Sequence, residues 1–274
     1  MRRLLRSQTE ARLKKLDREV RNAARKPEDA DSIHDLRVSI RRLKQELEVF
    51  LEWFEAENVK IIRRHLRKLM NRCAAVRNCD VAVVVLRAAG WQGPKLLAGL
   101  KKQRRGAAGE LARKLEHWRS AGQVRKWSGH LQVSRAASKE TAAEAAQRLL
   151  PAMAEELFRA GREAARPNST RLRMHRLRLK AKGVRYTLEM FEPAYGRKSK
   201  PMLDALKGLQ EKLGAINDCA TTLEMIRRDR GAAVSVRRLA GEREAEFRTY
   251  WKEHFGSRER ARWKAALSTA DGKS

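Results

Sequence analysis

Moved by 141 residues, the stretch 18–50 falls on 159–191 without a gap. Arg18, Arg21, Ala23, Ala24, Arg25, His34, Leu36, Arg37, Leu47, Glu48 and Phe50 land on Arg159, Arg162, Ala164, Ala165, Arg166, His175, Leu177, Arg178, Leu188, Glu189 and Phe191. With a shift of 140 the match resumes further on, Leu69 meeting Leu209, Cys79 meeting Cys219, and Val76, Arg77 and Asn78 meeting Ile216, Asn217 and Asp218. Matched spacing over this length argues for an internal duplication and confines the chain to folds built from two copies of one unit.

The copies read as helix. Apolar residues recur at intervals of three and four, while alternating β-branched runs and Asn-Gly or Asp-Gly hairpin turns are missing, so the expected fold class is all-α. A chain of 274 residues with 42% hydrophobic and 35% charged residues and only 6 Pro has the composition of a globular helical protein. At this length roughly three quarters of the unfolded surface can be buried. Breaks are expected at Lys26 to Asp31, near Glu55, at Gly90 to Pro94, Gly122 to Gly129, Arg166 to Thr170 and Glu192 to Pro201, and at Gly214 and Gly231. The connection between the halves is expected around Ser120 to Gly129, and a short disordered tail from about Ser268.

The best matched helix carries two stripes. Ile33, Leu36, Ile40, Leu43, Leu47 and Phe50, with Met174, Leu177, Ala181, Val184, Leu188 and Phe191 in the second copy, form an apolar seam that reads as core. One position on, about 100° round the helix, run His34, Arg37, Arg41, Lys44 and Glu48, and in the second copy His175, Arg178, Lys182, Arg185 and Glu189. Like charges at this spacing repel and destabilise an isolated helix. A cost incurred at the same positions in both copies calls for a compensating anion. Glu48 and Glu189, four residues after Lys44 and Arg185, are expected to orient the end of each ladder. His34 and His175, one turn before an Arg and near a helix start, read as phosphate hydrogen-bond donors.

The overall charge fits that reading. The chain holds 63 Lys and Arg against 33 Asp and Glu, a formal net charge of +30. Self-repulsion on this scale destabilises a compact state and is relieved by a polyanionic partner. The excess is also localised: Ala164 to Leu188 has eight basic residues and no acid, and Asn58 to Cys79 has seven and none. Arg63, Arg64, Arg67, Lys68, Arg72 and Arg77, with Lys207 and Lys212, can extend the basic surface.

Other signals narrow the class. Cys73, Cys79 and Cys219 form no C-x-x-C pair and leave one over in any disulfide scheme, so a reducing cytoplasm is expected. The basic start is not followed by a 7 to 15 residue apolar stretch, and the longest apolar run, Val81 to Leu86, falls far short of a bilayer span; neither a secretory leader nor membrane insertion is expected. Two histidines without matched carboxylates or thiols do not make a metal site, and no cofactor is expected. Asp80 and Asp218 read as helix caps. The six Trp are scattered and offer no base-stacking platform.

These residues carry a resemblance. His34-Asp-Leu-Arg37-Val-Ser-Ile-Arg41-Arg42-Leu-Lys44 and His175-Arg-Leu-Arg178-Leu-Lys-Ala-Lys182-Gly-Val-Arg185-Tyr186-Thr-Leu-Glu189 resemble the two signature helices of the CHAD family, the conserved histidine α-helical domain. Arg77-Asn78-Cys79-Asp80-Val81 and Leu213-Gly214-Ala215-Ile216-Asn217-Asp218 resemble its second pair of motifs. The resemblance implies one CHAD domain over 8–256, made of repeat 1 (8–120) and repeat 2 (138–256), with 257–274 a C-terminal helix and short tail. Its fold would be two antiparallel, four-helix-bundle-like repeats related by a pseudo-twofold axis, with a basic central cavity. It further implies binding of inorganic polyphosphate by His34, Arg37, Arg41, Arg42, Lys44, His175, Arg178, Lys182 and Arg185, and, for some members, a place at polyphosphate granules among granule-associated proteins. Gly183 stands where the first copy has Arg42, and Asn78 where the motif usually has an acid, so unequal contributions from the halves are expected. Many members of the family are fused to a triphosphate-processing tunnel domain, and none is expected within these 274 residues.

Rival classes make different demands. A nucleic-acid binder would share the salt dependence of a polyphosphate binder but should show stacking aromatics or a recognition motif, so only non-specific nucleic-acid contact is expected. A polyphosphate-processing enzyme would need a phosphate-cradling Gly loop, a carboxylate metal cluster or an activated nucleophile, and no G-x-x-x-x-G-K-[ST], H-E-x-x-H or G-x-S-x-G occurs. The expected activity is non-catalytic binding.

Overall fold

A computed structural model describes residues 1–133 and 140–269, and every regular element among them is helical. The chain divides into two compact units, Met1–Lys139 and Glu140–Ser274.

In the first unit, α1 (Arg2–Arg25), α2 (Ala30–Val49), α3 (Ala56–Ala88) and α4 (Pro94–Ser120) each pack against the next, and α4 returns to α1. The ring closes a four-helix bundle, the arrangement that lets every helix bury one apolar stripe. The short α5 (Gln123–His130) packs on α1 and α4. Local chemistry sets the ends of α2. The Asp29 carboxylate accepts from the Asp31 and Ser32 backbone N–H groups at 3.3 and 3.1 Å. At the far end a 3₁₀ turn, Leu51–Trp53, buries Trp53. The seam of Ile33, Leu36, Ile40, Leu43, Leu47 and Phe50 is wholly buried, as its spacing predicts.

Thr9, Glu19, Ser39 and Glu46 carry polar groups into this core. The Glu46 side chain is buried on α2, where Thr9 Oγ1 donates to it at 2.7 Å and Arg12 pairs with it from α1. Burial pushes its carboxyl above the usual carboxylate range, and Arg12 and Thr9 oppose the shift.

In the second unit, α6 (Ala142–Ala164), α7 (Arg171–Met190), α9 (Ser199–Met225) and α10 (Arg230–His254) pack in the same sequence, with the one-turn α8 (Glu192–Tyr195) and a 3₁₀ turn, Gly196–Lys198, between α7 and α9. Shifting α2 by 141 residues gives the bounds of α7. Thr141 and Glu144 form a capping box at the start of α6, Thr141 N–H donating to Glu144 at 2.7 Å and Glu144 N–H to Thr141 Oγ1 at 3.2 Å. The equivalent seam, Met174, Leu177, Ala181, Val184, Leu188 and Phe191, is again buried. α11 (Ser257–Leu267) folds back on α6. Its Trp263 stands edge-on to Phe158, with ring centroids 5.4 Å apart, and the Tyr195 hydroxyl donates to its last carbonyl, Leu267 O, at 3.0 Å.

Four details differ from the sequence reading. Ser120 to Gly129 is not the inter-unit connection: Val124 and Trp127 are buried in the first unit, and the division falls at Lys139 and Glu140. Gly214 does not break its helix, because α9 runs straight through it and the glycine faces open space. Asp80 and Asp218 are not caps but lie inside α3 and α9. Asp80 accepts from Arg104 Nε at 2.5 Å, and the same guanidinium holds Glu28 in the α1–α2 turn, its Nη2 donating to Glu28 O at 2.8 Å. Of the expected tail, Ser268 still bonds back to Lys264 O at 2.8 Å, and 270–274 lie outside the described residues.

All three cysteines are buried and unbridged. Burial pushes the Cys73 thiol up to about 12, and it raises Cys79 and Cys219 as well.

Candidate functional site

Because the seam of α2 is fixed against the core, the stripe one position on is fixed too. His34 is exposed at its start, while Arg37, Arg41 and Lys44 are half-buried along the edge where α2 meets α3. On α7 the gradation repeats position for position: His175 exposed, Arg178, Lys182 and Arg185 half-buried. From His34 to Lys44 the stripe runs about 15 Å along the axis, at 1.5 Å per residue. Arg42, also half-buried, sits about 100° beyond Arg41, at the margin of the stripe. The structure therefore brings His34, Arg37, Arg41 and Lys44 together along one edge, and His175, Arg178, Lys182 and Arg185 along another, each set within its own unit.

A half-buried guanidinium or ammonium loses hydration that only a counter-charge restores. Arg41 Nε is shielded from solvent with no hydrogen-bond partner among the described residues. Burial pushes the Lys44 ammonium below its usual range, and Arg63 and Arg67 add to the shift while Glu48 opposes it. Although His34 as a whole is exposed, partial desolvation of its ring against the protein lowers the imidazole pKa, and Arg41 and Arg77 add to the shift.

Those causes place the neighbours. α3 lies against α2 and brings Arg63 and Arg67 to the Lys44 end and Arg77 to the His34 end. The basic edge of the first unit is thus a two-helix groove. The sequence marked these three arginines as basic but did not separate them from their neighbours. Had the partner of each flank of the α3 seam been known, the three- and four-residue phase of Arg63 and Arg67 against Val59, Ile62 and Leu66 would have done so.

The acids at the ladder ends behave differently from each other. Glu189 accepts from Arg185 Nε at 2.8 Å, as its spacing predicts. Glu48 instead takes Arg63 Nη2 at 3.1 Å and ties α2 to α3. In the second unit Arg185 Nη1 also donates to Gln210 of α9 at 3.2 Å, and Gln210 Nε2 donates to Ala181 O at 2.9 Å. The 140-residue shift carries Arg63, Arg67 and Arg77 onto Leu203, Lys207 and Asn217, so one cation remains where the first unit has three. The inequality between the halves is wider than the exchange of Arg42 for Gly183 suggests.

No group of three His, Cys, Asp or Glu able to hold a metal ion occurs among the described residues, and no helix among them is long and apolar enough to cross a membrane. Such a stripe can bind and align a linear anion.

Comparison with known proteins agrees with this architecture. The family model of the CHAD domain matches residues 7–227. The crystal structure of the CHAD domain from the plant Ricinus communis superposes with a TM-score of 0.66 at 19% identity, covering 99% of this chain and 93% of that one. PptA from Streptomyces chartreusis gives a TM-score of 0.58 at 17% identity, covering 96% and 97%. No curated protein matches the sequence.

Proposed function

Since the chain belongs to the CHAD family, we propose that it binds inorganic polyphosphate along the basic edges of α2 and α7 and acts as a scaffold that holds the polymer without cleaving or extending it. One observation carries the reading: a half-buried cationic stripe recurs at matched positions in both units. A stripe about 15 Å long suits a polymer of phosphates better than a single anion. Guanidinium heads favour phosphate oxygens through charge-assisted and bidentate hydrogen bonds. His34 and His175 enter near the starts of their helices, where the backbone dipole adds to the attraction. Granule-associated proteins and a place at polyphosphate granules belong to the same proposal and rest on the family resemblance.

Competition tests it. Purified protein titrated with long-chain polyphosphate at about 0.15 M salt should lose little of it to single-stranded RNA of equal total charge, because weak non-specific contacts are screened there. The Arg37→Ala/Arg178→Ala variant should bind polyphosphate at least tenfold more weakly with unchanged helical content. Equal displacement by RNA would make the protein a general polyanion binder, and native affinity in the double variant would move the site off these helices.

A further inference from the structure

The basic segment of α3 serves two faces. Arg63, Arg67 and Arg77 meet α2, whereas His65, Lys68 and Arg72 turn toward α4 and line a separate pocket of about 230 Å³ with Leu69, Lys114, His117, Trp118 and Gln123. Nothing acidic lines it. Three of its residues are permanent cations and two are histidines.

The walls are built rather than incidental. Trp118 and Trp127 are buried and meet edge to face, with centroids 5.4 Å apart at 84°. The His65 ring lies parallel to Trp127 at 6.2 Å and edge-on to Trp118 at 6.4 Å. Rings rather than a hydrogen bond hold this imidazole, for its Nδ1 is shielded with no partner among the described residues. Burial, then Arg64, Lys68 and Lys114, push its pKa below the usual histidine value. α5 begins at Gln123 on the pocket rim, after Gly122 turns the chain with φ of 60°, and so brings the positive end of a helix to the same place.

We propose that the α3–α4 pocket of the first unit is a second anion site, separate from the α2 and α7 stripes, that takes one or two phosphoryl groups held by Lys68, Arg72 and Lys114. Size sets the ligand class. Pockets for drug-sized molecules run from about 300 to 1,000 Å³, and this one is smaller. Its charge suits a compact oxyanion, and its tryptophans are buried too deeply to stack on a nucleobase. Two sources supply that chemistry, free pyrophosphate and the end of a polyphosphate chain.

The indole N–H resonances of Trp118 and Trp127 report on the site directly. Pyrophosphate should shift them in the wild type and in Arg37→Ala/Arg178→Ala alike, so the pocket stands or falls independently of the stripes. In Lys68→Ala/Arg72→Ala/Lys114→Ala, whose replaced side chains are exposed or half-exposed, pyrophosphate affinity read at these resonances should fall at least tenfold. A response to long-chain polyphosphate but not to pyrophosphate supports the site and identifies a chain end as its occupant. Indole resonances that ignore both anions, or that respond equally in the triple variant, overturn the proposal.

Discussion

His34 sits under several fields at once. Arg37 and Arg41 reach it from its own helix and Arg77 from α3, while Asp35 opposes them; with burial the balance lowers its pKa. In the free protein the folded state therefore holds this proton less firmly than the unfolded chain does. Its contribution to stability is complete above the unfolded value of about 6.5 and is lost as pH falls through the lowered folded value. On the proposed reading, a polyphosphate chain laid along the stripe would oppose this shift, because an anion favours the imidazolium. Binding should take up protons and strengthen between about pH 7 and 5.5, in the range of an ordinary histidine, and His34→Gln should remove part of that dependence. Calorimetry in two buffers of different ionisation enthalpy measures the uptake; a flat profile would reduce His34 to a helix-start residue. At this scale the sequence was legible wherever residue type and seam together set the environment, as for the half-buried Arg37 and Arg178. It was not legible for Asp80, whose partner Arg104 is distant in sequence and is met only when α4 returns alongside α3.

Helix packing shows where a missing side chain matters. Gly161 on α6 lets the Trp251 indole of α10 come so close that an added Cβ would lie 1.7 Å from it. Gly109 on α4 faces open space. The two glycines should answer replacement by alanine with opposite signs. Gly109→Ala gains up to about 1 kcal/mol of helix propensity, while Gly161→Ala loses that gain to overpacking that typically costs about 1–3 kcal/mol. Thermal unfolding of the two variants decides it, and a raised Tm for Gly161→Ala would mean that the α6–α10 contact gives way cheaply. The same pair explains the misread break at Gly214. A glycine in open space weakens a helix without ending it, and composition alone does not separate that case from a turn. α2 and α7 were legible as helices because an unbroken seam runs between flanking breaks in each, although α2 ends at Val49, short of the break expected near Glu55. α5 was not: eight residues with Gly122 just before them and Gly129 inside read as a connection, and only the burial of Val124 and Trp127 against the bundle makes them a helix.

Across the whole molecule the 63 Lys and Arg behind the net charge of +30 separate into uses. Part lies along α2 and α7, part lines the α3–α4 pocket, and part is spent on surface ion pairs such as Lys212 with Glu246 at 2.9 Å and Arg260 with Glu155 at 2.5 Å. Exposed pairs of that kind contribute little stability each. The sequence gives the total; the division depends on which flank of each seam meets which neighbour.

The three unbridged thiols give each unit its own clock. Cys73 and Cys79 belong to the first and Cys219 to the second, and all are buried with raised pKa values, so an alkylating reagent near pH 8 meets them only when a unit opens. Modification followed by mass spectrometry should show slow labelling of both units, slowed further by saturating polyphosphate; alkylation of Cys219 at the rate of a free thiol would show the second unit opening constantly. The chain thus carries internal probes that time the opening of each half, and no residue has to be added to read them.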